Sequence, residues 1–173
     1  MRLEDLAGRI AADTADCQGL VDLGAGNGQF SGPLKVPHRA AVELYRPYVE
    51  HIRKIYPDML VFMADARTWI AERSDASIDA VLAINLIEHM TKEEGERLLV
   101  NALRVARRQL IVYTPNGFQA QHPSEVLPEF GPNSLQEHLS GWTRDDLRLF
   151  EIELVEIDGN EAGGLYAVYR RST

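Results

Sequence analysis

Residues 21–30 read VDLGAGNGQF, and this stretch decides the fold of the chain. Its apolar residues Val21 and Leu23 are typical of a buried parallel strand. Three glycines follow at alternate positions: Gly24, Gly26 and Gly28. Glycine at such a turn permits positive φ angles and lets a ligand lie against bare backbone. The stretch predicts a strand end followed by a tight turn that is suited to ligand binding.

Three interpretations of this turn remain open at the level of the motif. It is a glycine-rich turn without a ligand, a dinucleotide-binding Rossmann turn, or a turn that binds a different cofactor. The Rossmann pattern G-x-G-x-x-G requires its third glycine at the position that Gln29 occupies, whereas this chain has Gly28. Asp22, directly before the turn, also suits a cationic or amine-bearing ligand better than a pyrophosphate.

Composition predicts one soluble globular domain over residues 1–173. Hydrophobic residues make up 45% and charged residues 25% of the chain. The formal net charge of -8 disfavours a nucleic-acid-binding face, which needs clustered Lys and Arg. No apolar run is long enough to span a membrane. From the charge and the apolar runs together, we expect neither nucleic acid nor a membrane as a partner.

The N-terminal sequence and the cysteine content predict a cytoplasmic location. Glu4 and Asp5 interrupt the basic-then-apolar pattern of a secretory signal. Cys17 is the only cysteine, which excludes an intramolecular disulfide and fits a reducing compartment.

Acidic residues lie at the predicted ends of the second and third strands. Glu43, nineteen residues after Gly24, ends the strand predicted over residues 39–44. A carboxylate at this position accepts hydrogen bonds from the two ribose hydroxyls of a nucleotide cofactor, whichever cofactor it is. Asp65 follows the strand predicted over residues 60–63, and it also suits the N-cap of the next helix.

The helix after the fourth predicted strand carries clear end signals. Thr91 and Glu94 form a capping box at its start. Arg104, Arg107 and Arg108 are expected at its end, where they complement the helix dipole. At the first crossover, by contrast, Gly32, Pro33 and Pro37 leave room for only a short helix.

These motifs together resemble class I S-adenosylmethionine (SAM)-dependent methyltransferases of the small-molecule type. The similarity lies in the acidic residue before G-x-G-x-G, in Glu43, in MADA at 63–66, and in NLIEH at 85–89. The resemblance implies SAM as cofactor and S-adenosylhomocysteine (SAH) as product. The cofactor-binding residues that it implies are Asp22, Gly24, Ala25, Gly26, Gly28, Glu43, Leu44, Asp65, Ala66 and Asn85.

The resemblance also implies the fold, an α/β domain with a single doubly wound sheet. It predicts seven strands in the order 3-2-1-4-5-7-6, with strand 7 antiparallel. Two β-runs at residues 151–157 and 165–170 suit the last hairpin of such a sheet. This hairpin counts against a nicotinamide dehydrogenase, whose sheet usually ends in parallel strands. Residues 1–12 are expected to form a helix that covers the sheet or the cofactor site.

A long irregular stretch at residues 118–141 is the predicted wall of the acceptor pocket, because loops of this length are usually functional. We expect a small-molecule acceptor, with a sugar or a natural-product intermediate as the candidates. His89 and His138 are the candidate catalytic bases, although His89 also suits a structural hydrogen bond to a loop.

No metal site is predicted, and the sequence makes no prediction of oligomeric state. Two alternatives stay open: a SAM-binding module or regulatory subunit without catalysis, and an NAD(P)-dependent oxidoreductase.

Overall fold

The structure is a computed structural model that describes residues 3–121, 128–148, 150, 154–158 and 163–171. Strands β1 to β7 span, in chain order, Gly19–Leu23, His38–Glu43, Leu60–Met63, Ile78–Ile84, Ala106–Pro115, Leu154–Asp158 and Gly164–Arg170. Helices α1 to α5 span Leu3–Asp13, Arg46–Ile55, Ala66–Ala71, Lys92–Val105 and Arg144–Arg148. Short 3-10 helices lie at Ile87–His89, Pro128–Phe130 and Ser134–Gln136.

The sheet is parallel from β3 through β2, β1 and β4 to β5, and β7 pairs antiparallel with β5. These six strands confirm the predicted α/β class, the single sheet, the order of its parallel strands and the antiparallel strand beside β5. The backbone of β6 runs antiparallel along the outer edge of β7, from Leu154 opposite Tyr169 to Asp158 opposite Tyr166. Residues 151–153, which the sequence assigns to the same strand, lie outside the described part of the chain.

Side chains of β1 alternate between the two faces of the sheet, as the period of a strand requires. Val21 and Leu23 pack in the core formed with α3 and α4. Leu20 packs on the opposite face against Leu6 and Ile10 of α1. The N-terminal helix therefore covers the sheet, which confirms the first of its two predicted roles.

The predicted short helix between β1 and β2 does not form. Residues 24–37 adopt turns and irregular backbone instead. Pro33 and Pro37 remove the backbone donors that a helix there would need. Phe30, Leu34 and Val36 are nevertheless buried beside α1. The irregular segment thus covers the face of the sheet that a crossover helix would otherwise cover.

The predicted positions of Arg107 and Arg108 at a helix end are wrong. Helix α4 begins with the predicted capping box and ends at Val105, and β5 begins at the next residue. Arg107 lies in the strand and pairs with buried Asp79, its Nε 2.7 Å from the carboxylate Oδ1. The chain passes directly from helix to strand because Val105 and Ala106 are both buried.

None of the helices among the described residues is long and apolar enough to cross a membrane.

Candidate functional site

The glycine turn after β1 adopts the unusual backbone that its sequence predicts. Gly24, Gly26 and Gly28 have φ angles of 65°, 56° and 80°. The amide of Gly24 donates to the carbonyl of Val42 at 2.8 Å, which fixes the turn against β2. A side chain on Gly24 would meet Leu86, whereas one on Gly26 would point into open space. Bare backbone at Gly26 therefore faces a region that a ligand can enter.

Glu43 links this turn to the end of β2. Its Oε2 accepts from the amide of Gly26 at 2.8 Å, and its Oε1 accepts from the amide of Tyr45 at 2.7 Å. Burial raises the pKa of the carboxyl, and these backbone donors partly offset that rise. A carboxylate offers about four acceptor sites. The acceptor sites that the backbone leaves free can accept hydrogen bonds from a bound molecule.

Asp22 lies in β1, just before the glycine turn, and is buried. Its Oδ2 accepts from the hydroxyl of Ser31 at 2.5 Å, while its Oδ1 has no hydrogen-bond partner. Burial raises the pKa of Asp22 to about 7. Because side chains alternate along β1, Asp22 faces the irregular segment after the strand.

Asp65 lies two residues after the end of β3 and caps α3, as predicted. Its Oδ1 accepts from the backbone amide of Arg67 at 2.8 Å. The guanidinium of Arg67 also contacts the carboxylate of Asp65, with Nη2 2.5 Å from Oδ2, and that of Glu94. Hydrogen bonding from Arg67 lowers the pKa of Asp65. Asp65 is thus an ionised carboxylate held in one orientation.

Asn85 follows β4 and begins the segment that closes the site. It has a positive φ of 48°, which asparagine tolerates better than most residues. The backbone amide of Asn85 donates to the backbone carbonyl of Tyr113 at 2.8 Å. The chain then enters the 3-10 helix Ile87–His89, which brings His89 to the same edge of the sheet.

One cavity lies where the carboxyl ends of β1 to β4 meet, with about 660 Å³ of empty space including the part open to solvent. This edge is the usual ligand site of open α/β sheets. The predicted site residues that line it are Gly24, Glu43, Leu44, Asp65, Ala66, Asn85 and His89. The remaining predicted residues do not line it: Asp22, Ala25, Gly26, Gly28 and His138.

Sequence reasoning missed Arg67 and the side of the cavity formed by Asn133, Leu135 and Gln136. Arg67 follows Asp65 closely in the chain, but its contact with the distant Glu94 has no local signal. The other three residues lie inside the predicted acceptor loop. Their position depends on how that loop folds back over the sheet, for example through the hydroxyl of Tyr45, which donates to the carbonyl of Phe130 at 2.7 Å.

The candidate bases His89 and His138 are adjacent, with ring centroids 4.9 Å apart. Nδ1 of His89 lies 3.1 Å from the carbonyl of Glu137. This side chain therefore makes a structural hydrogen bond to a loop, which is the alternative to a catalytic role that the sequence suggests. Burial lowers the pKa of His89 to about 4, although the hydrogen bond to Glu137 opposes this shift. The imidazole is therefore neutral at pH 7 and is a weak base there.

Residues 21–113 match a family described as "Methyltransferase domain". The matched region includes every predicted cofactor residue. No curated protein matches the chain.

Solved structures share the fold at low sequence identity. A protein from Pyrococcus horikoshii OT3, PH0226, is 16% identical with a TM-score of 0.72, covering 99% of this chain and 90% of that one. Magnesium protoporphyrin IX methyltransferase from Synechocystis PCC 6803, solved with bound SAM, is 13% identical with a TM-score of 0.70, covering 98% and 77%. A 1,6-didemethyltoxoflavin-N1-methyltransferase from Burkholderia thailandensis is 14% identical with a TM-score of 0.71, covering 98% and 77%.

Proposed function

Because this chain belongs to the methyltransferase domain family, we propose that it transfers the methyl group of SAM to a small-molecule acceptor. The observation that carries the proposal is the convergence of Gly24, Glu43, Asp65 and Asn85, from four strand ends, around one cavity. A turn for the methionine part, a carboxylate for the ribose and a carboxylate for the adenine are the features that SAM requires.

The residues take the following roles in this proposal. Glu43 accepts the ribose hydroxyls with the acceptor sites that its two backbone donors leave free. Asp65 accepts from the adenine amino group while it continues to cap α3. Gly24 lies against the methionine part, and Asn85 lies beside the sulfonium. Asp22, Ala25, Gly26 and Gly28 hold the shape of the turn or contact the methionine part at its edge.

The acceptor side is formed by residues 118–141, whose described part supplies Asn133, Leu135 and Gln136 to the cavity. A net charge of -8 disfavours a polyanionic acceptor. Two solved neighbours support a small ring compound, since their names specify a porphyrin and a toxoflavin precursor. We therefore propose a small ring compound as the acceptor, either a sugar or a natural-product intermediate.

The chemistry needs alignment more than it needs strong acid or base catalysis. The sulfonium makes the methyl carbon electrophilic, and the acceptor atom attacks it in line with the departing sulfur. Positive charge on sulfur decreases in the transition state, so the site has mainly to hold the two partners in contact and in line.

Three further predictions belong to the same proposal. The domain extends over residues 1–173, its sheet has seven strands with β6 outermost, and the protein is cytoplasmic. Buried, unpaired Cys17 is consistent with the reducing compartment that this location implies.

Replacement of the acceptor loop tests this assignment. A variant with residues 118–140 exchanged for a short Gly/Ser linker should bind SAH like the wild type, because most of the cofactor residues precede the loop. Transfer of labelled methyl to an acceptor found by screening should be lost. Retained transfer would show that the loop is not the acceptor wall, and lost SAH binding in a folded variant would make it a cofactor lid.

A further inference from the structure

Three potential metal ligands converge beside the cofactor cavity, outside the residues assigned to SAM. Glu88, His89 and His138 each offer one ligand atom, and these atoms lie within 4.8 Å of one another. A zinc ion with bonds of about 2.0–2.2 Å holds tetrahedral ligands about 3.3 Å apart. Modest rotation of the side chains would therefore bring the three atoms onto one ion.

Both imidazoles are oriented as metal ligands usually are. Nδ1 of His89 lies 3.1 Å from the carbonyl of Glu137, and Nδ1 of His138 lies 2.5 Å from the carbonyl of Gln119. A carbonyl only accepts hydrogen bonds, so in the neutral imidazoles each Nδ1 carries the proton, which leaves the lone pair on Nε2 for a metal. Histidines that bind metals commonly donate their second nitrogen to a backbone carbonyl in this way.

The carboxylate of Glu88 supplies an independent sign that a ligand is missing. Glu88 is 2% exposed, and its Oε2 accepts from the hydroxyl of Thr114 at 2.9 Å. Its Oε1 is buried without a hydrogen-bond partner. A buried carboxylate oxygen without a partner is costly, and a cation would satisfy it.

The backbone holds the cluster together across a long stretch of chain. The amides of Leu139 and Ser140 donate to the carbonyl of Glu88 at 2.8 and 3.1 Å. The indole of Trp142 donates to the carbonyl of Ile87 at 3.2 Å. These bonds fix the loop that carries His138 against the segment that carries the other two ligands.

We propose that Glu88, His89 and His138 bind a divalent first-row transition metal ion, which coordinates a hydroxyl of the methyl acceptor. Two imidazole nitrogens and one carboxylate oxygen suit ions such as Zn²⁺, and they leave at least one position open. His89 also lines the cofactor cavity, so an acceptor hydroxyl on the ion would lie on the side of the site where the proposed function places the methyl group. This inference departs from the sequence-based expectation of no metal.

The ion would activate the acceptor as a Lewis acid. The bound hydroxyl loses its proton to solvent, and its oxygen attacks the methyl carbon. The carbon–oxygen bond forms as the carbon–sulfur bond breaks, and the electron pair of the broken bond stays on sulfur to give SAH. This role rests on the proposed function, whereas binding of the ion does not.

Titration of the full chain with Co²⁺, followed by visible absorption, tests the site. We expect one Co²⁺ per chain, and at least ten-fold weaker binding in each of His89→Ala, His138→Ala and Glu88→Gln. His38→Ala removes an exposed histidine at the start of β2 and should bind Co²⁺ like the wild type. Glu88→Gln keeps an oxygen for the Thr114 hydroxyl, so it is the variant that is expected to fold even if the alanine variants do not.

Absence of a Co²⁺ spectrum in the wild type would overturn the proposal. Folded ligand variants that bind Co²⁺ as the wild type does would also overturn it. Azide, a small anion that occupies open metal positions, should shift the spectrum, and an unchanged spectrum at saturating azide would refute the acceptor role. SAH titration of the same protein separates the two claims, because absent SAH binding would refute the proposed function alone.

Discussion

Replacement of Glu43 by alanine is the sharpest single perturbation of the proposed cofactor site. The amides of Gly26 and Tyr45 use two of its acceptor sites, and the ribose hydroxyls are proposed to use sites that the backbone leaves free. Hydrogen bonds to a charged group contribute about 1.5–3 kcal/mol each. Loss of one such bond weakens binding about ten-fold, and loss of both about a hundred-fold or more.

The Glu43→Ala variant should remain folded, although it should be less stable than the wild type. The amides of Gly26 and Tyr45 lose their acceptor, which costs about 1–3 kcal/mol for each group that water does not reach. The open cavity beside them lets water replace part of this loss. Circular dichroism and thermal unfolding therefore accompany the calorimetric titration with SAH.

Glu50→Ala is the matched control, because it removes an exposed glutamate of α2 whose side chain is 60% accessible. Its affinity for SAH should equal that of the wild type. A folded Glu43→Ala variant with an unchanged dissociation constant would remove Glu43 from the site and would refute the ribose assignment.

Two further predictions concern the turn and its buried acid. Gly24→Ala should lower the free energy of unfolding by more than the ~1–2 kcal/mol cost of a left-handed residue, because its Cβ would lie 2.5 Å from Cδ1 of Leu86. Adding Leu86→Ala should recover part of this loss in denaturant titrations, and no recovery would contradict the contact. Asp22 binds a proton in the folded state up to about pH 7, against 3.8 as its ordinary pKa, so its contribution to stability is present below pH 3.8 and is lost as pH rises towards 7. The wild type should therefore lose stability relative to Asp22→Asn by up to about 1.4 kcal/mol per pH unit in this window, and parallel pH–stability curves would disprove the raised pKa.

The positions of the strand-end residues could be predicted from the sequence because they depend on local pattern. Apolar runs set β1 to β4, and the residue that follows each run must lie at the carboxyl edge of a parallel sheet. This reasoning predicts the positions of Glu43 and Asp65, whereas Asn85 is implied by the family resemblance, and the structure places all three around one cavity. Asp22 is assigned from its charge beside the glycine turn and from the family resemblance, but the alternation of β1 turns its side chain away from this cavity.

Features that depend on contacts between distant segments could not be predicted. Arg107 lies in β5, where it pairs with buried Asp79 on the neighbouring strand. His138 reaches His89 through a loop whose path the sequence does not specify. The crossover before β2 buries Phe30 without forming a helix, whereas the prolines in the sequence indicate only that a helix there would be short.

Calorimetric titration of the wild-type chain with SAH, in parallel with NADH, tests the central claim most directly. We expect saturable binding of one SAH per chain, displacement of SAH by SAM, and no heat of binding from NADH. Binding of NADH without binding of SAH or SAM would contradict the assignment of this cavity to the methyl donor.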